Sequence, residues 1–323
     1  MTEIRFAFGE NWQSFVATAV DDRRIANAIE SLKRLLQTED LRGLAFLDIG
    51  CGSGLFSLAA VMLGAERVVG FDLDAGSVEA SRTLRGRADV GEEKWRIVQG
   101  SVLDPAFLAG LEPADMVYSW GVLHHTGSMW AAIDAAAGKI RPGGRFALAV
   151  YNNVEDFVGG SAMWLRLKRW YNRSPRPVRT VMEWSYGGSL LARKLLRLRS
   201  PWRFLREYPQ RSGRGMDFWH DVRDWIGGFP YEYATAGEVF RYLHERHGLE
   251  LTYLDTHDGH GCNEFAFLRP GAWEGASNVT PAATAAQAGN ESRIPGEAGG
   301  TGPAPGAKAG GVGGTNRERE AGP

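Results

Sequence analysis

The stretch LDIGCGSG at residues 47–54 decides the fold. It sets Asp48, Gly50, Gly52 and Gly54 in a D-x-G-x-G-x-G pattern between a predicted strand and a predicted helix. Glycines let the backbone turn sharply and approach a ligand without a Cβ in the way. The helix that follows offers free N–H groups at its N-terminus. The loop therefore predicts a ligand site at the end of a strand.

A second motif, FDLD at residues 71–74, lies at the end of the next predicted strand. Asp72 follows Gly54 by 18 residues, where a carboxylate can accept hydrogen bonds from two ribose hydroxyls. The alternative is a solvated loop acid that caps the next helix. Because the glycine spacing departs from G-x-G-x-x-G, the two motifs together favour S-adenosylmethionine (AdoMet) over a dinucleotide.

Segments with strand and helix periodicity alternate around these motifs. Such alternation predicts a doubly wound, mostly parallel, seven-stranded α/β sheet, with ligands at the carboxyl ends of the strands. The predicted strands are 44–49, 67–73, 95–99, 115–120, 145–151, 249–256 and 264–268, and the predicted helices are 22–37, 55–63, 76–84, 129–137 and 236–247.

The chain divides into five predicted segments. Residues 1–43 contain an amphipathic helix, 44–155 form the AdoMet-binding core, and 156–230 form a basic, aromatic-rich helical insert without a predicted strand. Residues 231–270 supply the closing helix and strands of the core. In the tail, 271–323, 30 of the 53 residues are Gly, Ala or Pro, which predicts disorder.

Five motifs occur in the order in which class I AdoMet-dependent methyltransferases have them: LDIGCGSG, VGFDLD, VQGSVLD, VYSWGVLHH and RPGGRFAL. The chain resembles that family over residues 44–151 and 236–269, most strongly the bacterial small-molecule methyltransferases related to the ubiquinone-biosynthesis O-methyltransferases. The resemblance is specific for the cofactor and poorly specific for the substrate. It implies AdoMet as the cofactor, with contacts from Asp48, Gly50, Cys51, Gly52, Gly54, Asp72, Leu73, Ser101, Val102, Ser119 and Trp120.

The expected adenine contact departs from the family pattern. Ser101 stands where many relatives have Asp, and a serine offers a neutral hydrogen bond that is about half as strong as a charged one. Asp104 is the alternative acceptor at this end of the predicted site.

Two adjacent histidines follow the fourth predicted strand, in SWGVLHHT. Methyl transfer is an in-line displacement, so the protein supplies alignment, and a base where the acceptor atom carries a proton. We expect one of His124 and His125 to face the crevice, and the resemblance favours His125 as the base. The alternative is that both pack against the next helix, with Thr126 or Ser128 as its N-cap.

The segment FWHDVRDWIGGFPYEY at residues 218–233 is the second candidate for chemistry. It predicts a base and its neighbour, His220 and Asp221. It also predicts substrate contacts from Trp219, Asp224, Tyr231 and Tyr233. The alternative is a structural corner where the insert rejoins the core, because aromatic side chains serve packing more often than ligand binding.

Metal binding is not predicted. His257, His260 and Cys262 are close in sequence, but no fourth ligand lies at a suitable spacing and the run is a Gly-rich turn between the last two strands.

Positive charge is concentrated in the insert. Residues 161–215 contain 14 Lys/Arg and 2 Glu, a net charge of +12, whereas the whole chain is −1 and the remainder therefore −13. On one predicted helix, apolar Leu191, Leu195 and Leu198 are expected to pack opposite Arg193, Lys194 and Arg197. The charge favours an anionic membrane surface or an anionic substrate, with RNA as a further option; the alternative is a solvated face.

The remaining features predict a cytoplasmic protein, with peripheral attachment to the inner membrane surface as an option. The sequence has two cysteines far apart, no secretory signal and no apolar run long enough to span a bilayer. The predicted function is O-methylation of a small-molecule or lipid-like acceptor with His-assisted deprotonation. The alternatives are an RNA-modifying methyltransferase whose insert holds phosphates, and a non-catalytic AdoMet-binding interaction protein.

Overall fold

The structure is a computed structural model, and it describes residues 8–18, 20–156, 159–196, 200–211 and 218–271. The tail predicted to be disordered lies, apart from Gly271, outside the described residues.

The centre of the molecule is a seven-stranded sheet. Its strands are β1 (Ala45–Ile49), β2 (Arg67–Asp72), β3 (Trp95–Gln99), β4 (Ala114–Trp120), β5 (Ile140–Tyr151), β6 (Glu250–Asp255) and β7 (Cys262–Leu268). Their spatial order is β3-β2-β1-β4-β5-β7-β6. Strands β1 to β5 are parallel, and β7 is antiparallel to both β5 and β6. The predicted doubly wound, mostly parallel sheet is confirmed.

Helices cover both faces of this sheet. They are α1 (Gly9–Thr18), α2 (Asp22–Leu36), α3 (Leu55–Met62), α4 (Ala75–Arg87), α5 (Pro105–Ala109), α6 (Met129–Ala137), α7 (Ser161–Arg173), α8 (Arg176–Leu196), α9 (Pro201–Arg211), α10 (Phe218–Gly227) and α11 (Ala236–His247), with a 3₁₀ turn at Leu123–His125. Leu32 and Leu58 belong to the core on one face, and Ile133 and Leu243 to the core on the other.

Side-chain caps fix several helix ends. The Asp21 carboxylate accepts from the backbone N–H of Arg24 and begins α2. Thr235 and Glu238 form a reciprocal capping box at the start of α11, and Gly248 ends that helix in the left-handed conformation. These local signals explain why the predicted bounds of both helices agree with the observed bounds.

Two parts of the core differ from expectation. Helix α1 was not predicted, and β5 begins at Ile140 instead of Arg145. The Pro-Gly-Gly run at residues 142–144 has turn composition, yet it lies within the strand beside an irregularity in the pairing of β4 with β5.

The insert forms a helical layer with a core of its own. In residues 156–230, the described part contains helices α7 to α10 and no strand. Its core packs on the carboxyl end of β5, where the Tyr151 ring lies 5.7 Å from that of Trp225 and 5.2 Å from that of Tyr231. The insert therefore stands over the edge of the sheet at which parallel α/β folds bind ligands.

One expectation for the insert is wrong. Leu191 packs against the insert core, but Leu195 is 64% exposed. Arg197 and Leu198 lie outside the described residues. No helix in the described part of the chain has the length and apolar character that a bilayer crossing requires.

Candidate functional site

The glycine loop between β1 and α3 has a conformation that glycine adopts readily and other residues do not. Gly50, Gly52 and Gly54 have φ values of 76°, 53° and 80°. A Cβ at Gly50 would overlap the Val122 side chain, and one at Gly54 would lie 2.8 Å from the Trp95 ring. The loop therefore forms a close-fitting backbone cradle at the N-terminus of α3.

Asp72 is held against this loop. Its Oδ2 accepts from the Gly52 N–H at 3.0 Å and its Oδ1 from the Asp74 N–H at 2.9 Å. Burial raises the pKa of Asp72 to about 6, although these N–H groups act in the opposite direction. The helix-capping role that was the alternative for Asp72 belongs to Asp74, which accepts from Gly76 and Ser77 at the start of α4.

Two buried side chains support the loop from beneath. Asp48 accepts from the Ser57 hydroxyl at 2.6 Å, and burial raises the pKa of this carboxyl to about 7. The thiol of Cys51 lies 3.5 Å from the Ser81 hydroxyl, and burial raises the pKa of Cys51 well above its usual range. Both also contribute to the cavity wall described next.

A cavity of about 1580 Å³ extends from the loop to the insert. Drug-sized ligands occupy pockets of roughly 300–1,000 Å³, so this cavity has room for a cofactor and a second molecule. Its core side is lined by the loop with Asp72, Leu73, Ser101, Val102 and Trp120. Its insert side is lined by Leu190, Lys194, Phe204, Tyr208, Phe218, Asp221, Asp224 and Trp225.

Two residues expected at the cofactor site have other tasks. Ser119 is fully buried, donates to the Ile49 carbonyl at 3.0 Å and does not line the cavity, so its assignment as a cofactor contact is corrected. Asp104 caps α5 by accepting from Ala106 and Phe107, and it does not line the cavity. Ser101 remains in the cavity wall, where its hydroxyl accepts from the Leu103 N–H at 3.1 Å.

The two histidines have opposite tautomers, which we infer from their partners. His125 Nδ1 lies 2.6 Å from the Pro230 carbonyl. A carbonyl only accepts, so Nδ1 has the proton and the lone pair of the neutral ring is on Nε2. His124 Nδ1 instead accepts from the Tyr151 N–H at 3.3 Å. Of the pair, His125 lines the cavity and His124 is fully buried beneath it.

The segment 218–233 divides between cavity and packing. Asp221 and Asp224 line the cavity. The predicted substrate contacts Trp219, Tyr231 and Tyr233 do not: the Trp219 ring packs in a tilted arrangement against that of Trp184, with ring centres 4.5 Å apart, and Tyr231 is buried beside Tyr233. In this structure the three rings pack against other aromatic side chains. The side chain of His220 lies outside the described residues.

A buried lysine that the sequence analysis missed supports this wall. Lys168 is fully buried, donates to the Trp225 carbonyl, and its Nζ lies 4.7 Å from the ring centres of both Trp225 and Tyr231. Burial lowers the pKa of Lys168 to about 7, and the charge of Asp224 acts to raise it. Residues 161–215 contain 14 Lys and Arg. Nothing in the sequence distinguishes Lys168 from the others, so its burial could not be predicted.

Helix α1 is the other feature that was missed. Phe8 and Trp12 line the cavity, with the Phe8 ring 5.3 Å from that of His125 and the Trp12 ring against Gly52. Phe8, Trp12 and Phe15 recur at helical spacing, and this periodicity was a signal that could have found them.

The turn between β6 and β7 also reaches the cavity, through His257, His260 and Cys262. His260 Nε2 contacts the Gly159 carbonyl. Over the described ranges, no three His, Cys, Asp or Glu side chains are grouped as metal ligands would be.

Comparison with known proteins identifies the core. Residues 47–148 match the methyltransferase domain family. The ribosomal protein L11 methyltransferase of Pseudomonas syringae pv. tomato is 35% identical over 114 residues, 35% of this chain and 36% of that protein. The corresponding protein of Azotobacter vinelandii is 37% identical over the same length. The chain thus spans about a third of the length of these relatives.

A solved structure agrees on the fold. An O-methyltransferase family protein from Burkholderia thailandensis superposes with a TM-score of 0.50 at 13% identity, over 82% of this chain and 60% of that one. Magnesium protoporphyrin IX methyltransferase from Synechocystis PCC 6803, with bound S-adenosylhomocysteine, gives 0.45 at 13% identity, over 81% and 94%. Residues 47–148 thus match a methyltransferase domain in sequence, and the Burkholderia thailandensis structure has the same fold. The narrower likeness to ubiquinone-biosynthesis enzymes is not part of these matches.

Proposed function

We propose that this chain transfers a methyl group from AdoMet to a small-molecule or lipid-like acceptor held between the core and the insert. The observation behind this proposal is the continuous cavity of about 1580 Å³ that joins the glycine loop to the insert helices. The insert side of that cavity is mostly apolar and aromatic, with Asp221 and Asp224 as its acidic groups.

The residues of the core fit AdoMet. The glycine cradle admits a ligand close to the backbone, and the ionised carboxylate of Asp72 is suited to accept from ribose hydroxyls. Ser101 and Val102 form the wall expected beside the adenine. When bound, AdoMet supplies a methyl group on a positively charged sulfur, which needs no further activation by the protein.

The protein's own contribution is alignment and proton removal. The Nε2 lone pair of His125 is suited to take a proton from an acceptor hydroxyl, while its Nδ1–H remains anchored on the Pro230 carbonyl. The Phe8 ring lies 5.3 Å from the His125 ring, and both side chains line the cavity. O-methylation is the transfer that this arrangement favours.

An acceptor screen tests the proposal. Purified protein is incubated with AdoMet and with phenols, carboxylic acids or hydroxylated lipids, and the release of S-adenosylhomocysteine is measured. Release with one of these classes is the expected result. Release with RNA or a ribosomal protein alone would show that the acceptor class is wrong. AdoMet binding without release in any mixture would favour a non-catalytic binding protein.

A further inference from the structure

Exposed apolar side chains are concentrated on the insert. Of the eleven large hydrophobic residues that are exposed in the described structure, seven lie between residues 163 and 202: Met163, Trp170, Val181, Trp184, Leu195, Leu196 and Trp202. Single exposed apolar residues are ordinary, but a cluster of this kind marks an interaction surface.

These residues form ordered stripes on packed helices. On α8 the exposed positions Val181, Trp184, Gly188, Ala192 and Leu195 follow at intervals of three and four residues, which places them on one side of the helix. The opposite side of α8 packs into the insert core through Met182, Tyr186 and Leu190. The outer side of α8 therefore carries Val181, Trp184 and Leu195, with Ser185 and Ser189 beside them, whereas a solvated surface helix has charged residues on that side.

Arginines accompany the exposed apolar residues. The exposed positions of α7 include Met163, Arg166, Trp170 and Arg173, again at intervals of three and four. Arg176 and Arg193 are exposed near the two ends of α8. At the start of α9, Trp202 is 81% exposed. We define the outer stripes of α7 and α8, together with Leu196 and Trp202, as the insert surface.

We propose that the insert surface docks on an anionic lipid bilayer. Trp side chains favour the boundary between headgroups and acyl chains, the aliphatic residues enter the apolar region, and arginines bind anionic headgroups. The net charge of +12 on residues 161–215 is attracted to such a surface. The remainder of the chain, at −13, is repelled from it, so the insert faces the lipid.

Other occupants fit less well. A second insert would bring +12 against +12, and the acidic remainder of another copy offers only four scattered exposed hydrophobic residues in the described structure: Met62, Leu73, Phe240 and Leu254. The tail at 272–323 has 4 Lys/Arg and 5 Glu, too little negative charge to neutralise the insert. RNA would pair with the arginines but gives no partner for Val181, Leu195 and Leu196.

The surface adjoins the cavity wall. Lys194 and Phe204 line the cavity, while Leu195, Leu196 and Trp202 are exposed within one turn of them on α8 and α9. An acceptor that partitions into the bilayer would therefore meet the protein beside its cavity. This last point rests on the proposed function, whereas docking does not.

Vesicle sedimentation tests docking without any need for turnover. The full chain is mixed at physiological salt with phosphatidylcholine vesicles that contain or lack phosphatidylglycerol. We expect binding to the anionic vesicles only. Trp184→Gln with Trp202→Gln should weaken binding about tenfold or more, as expected for apolar area left in water. Arg166→Gln and Arg173→Gln should each weaken it about fivefold.

Matched changes elsewhere serve as controls. Leu254→Gln and Arg96→Gln alter an exposed apolar and an exposed basic residue outside the insert, and binding should stay within about twofold. The melting temperature and AdoMet affinity of each variant show whether it is folded. The proposal would be overturned if the protein bound neutral and anionic vesicles equally or bound neither kind. It would also be overturned if the four insert substitutions left vesicle binding intact. Self-association or RNA binding that those changes abolish, without vesicle binding, would overturn it as well.

Discussion

The side-chain amide of Asn11 donates to the carboxylate of Asp224 at 2.5 Å, across 213 residues of sequence. This bond joins α1, which covers the glycine loop, to α10, which forms the insert wall of the cavity. The cofactor side and the acceptor side of the site are thus tied together through the first described helix.

Loss of that bond should destabilise the protein. In Asn11→Ala a mostly buried carboxylate loses one donor, and we expect the free energy of unfolding to fall by about 1–3 kcal/mol. Urea denaturation measures the change. Gln13→Ala, at an exposed position on the same helix, should stay within about 0.5 kcal/mol of wild type. Equal stability of the two variants would show that the Asn11 contact contributes little.

AdoMet affinity should depend on the ionisation of Asp72. Because burial raises the pKa of Asp72 to about 6, the carboxylate is ionised at pH 8 and is progressively protonated as the pH falls through 6. A neutral group accepts more weakly from ribose hydroxyls, so calorimetry should show affinity falling over that interval. Asp72→Asn should lower affinity at pH 8 by about tenfold or more and flatten the profile near pH 6. As a control, Asp104→Asn, outside the cavity, should keep the wild-type dependence of AdoMet affinity on pH. The same dependence in Asp72→Asn would show that Asp72 does not bind the ribose.

Two substitutions distinguish a base role of His125 from a positioning role. His125→Ala should lower kcat by about 10²–10⁴ if the ring acts as a base, with AdoMet affinity within about threefold. His125→Asn restores a side-chain N–H suited to the Pro230 carbonyl but supplies no base, so its kcat should stay equally low. Recovery of kcat in the Asn variant would instead identify His125 as a positioning residue.

Lys168 should make stability depend on pH. Burial lowers its pKa to about 7, against 10.5 for an unperturbed lysine. Between these values the unfolded chain binds a proton that the folded chain does not, so the contribution of Lys168 to stability increases with pH. The free energy of unfolding should therefore rise from pH 7 to 9 more steeply in wild type than in Lys168→Met, by up to about 1.4 kcal/mol per pH unit. Lys94→Met, outside the insert, should keep the wild-type slope; a wild-type slope in Lys168→Met would mean that the buried lysine stays charged.

The sequence predicted the sheet, its ligand-binding edge and the glycine loop because each depends on local signals. The positive φ values of Gly50, Gly52 and Gly54 favour glycine at these positions, and alternating periodicity locates the strands and helices along the chain. Asp72 could be placed for the same reason, since it ends the strand beside the loop.

Side-chain direction was harder to predict. Ser119 and Trp120 are neighbours at the end of β4, and only Trp120 reaches the cavity because adjacent residues of a strand point to opposite faces. Trp219 and Tyr231 have the composition of a pocket wall, yet Trp219 packs on Trp184 and Tyr231 on Tyr151, and both are contacts between distant elements. Spacing along the chain does not determine such contacts.

The distribution of indole rings gives the molecule an optical reporter of its own. Trp170, Trp184 and Trp202 are more than half exposed, whereas Trp95, Trp164 and Trp225 are buried. In water, the exposed rings are accessible to a soluble quencher such as iodide, and the buried rings are shielded from it. Any event that covers the outside of the insert will therefore shift the emission of the exposed rings to shorter wavelength and protect them from quenching, so that it can be followed in the unlabelled protein.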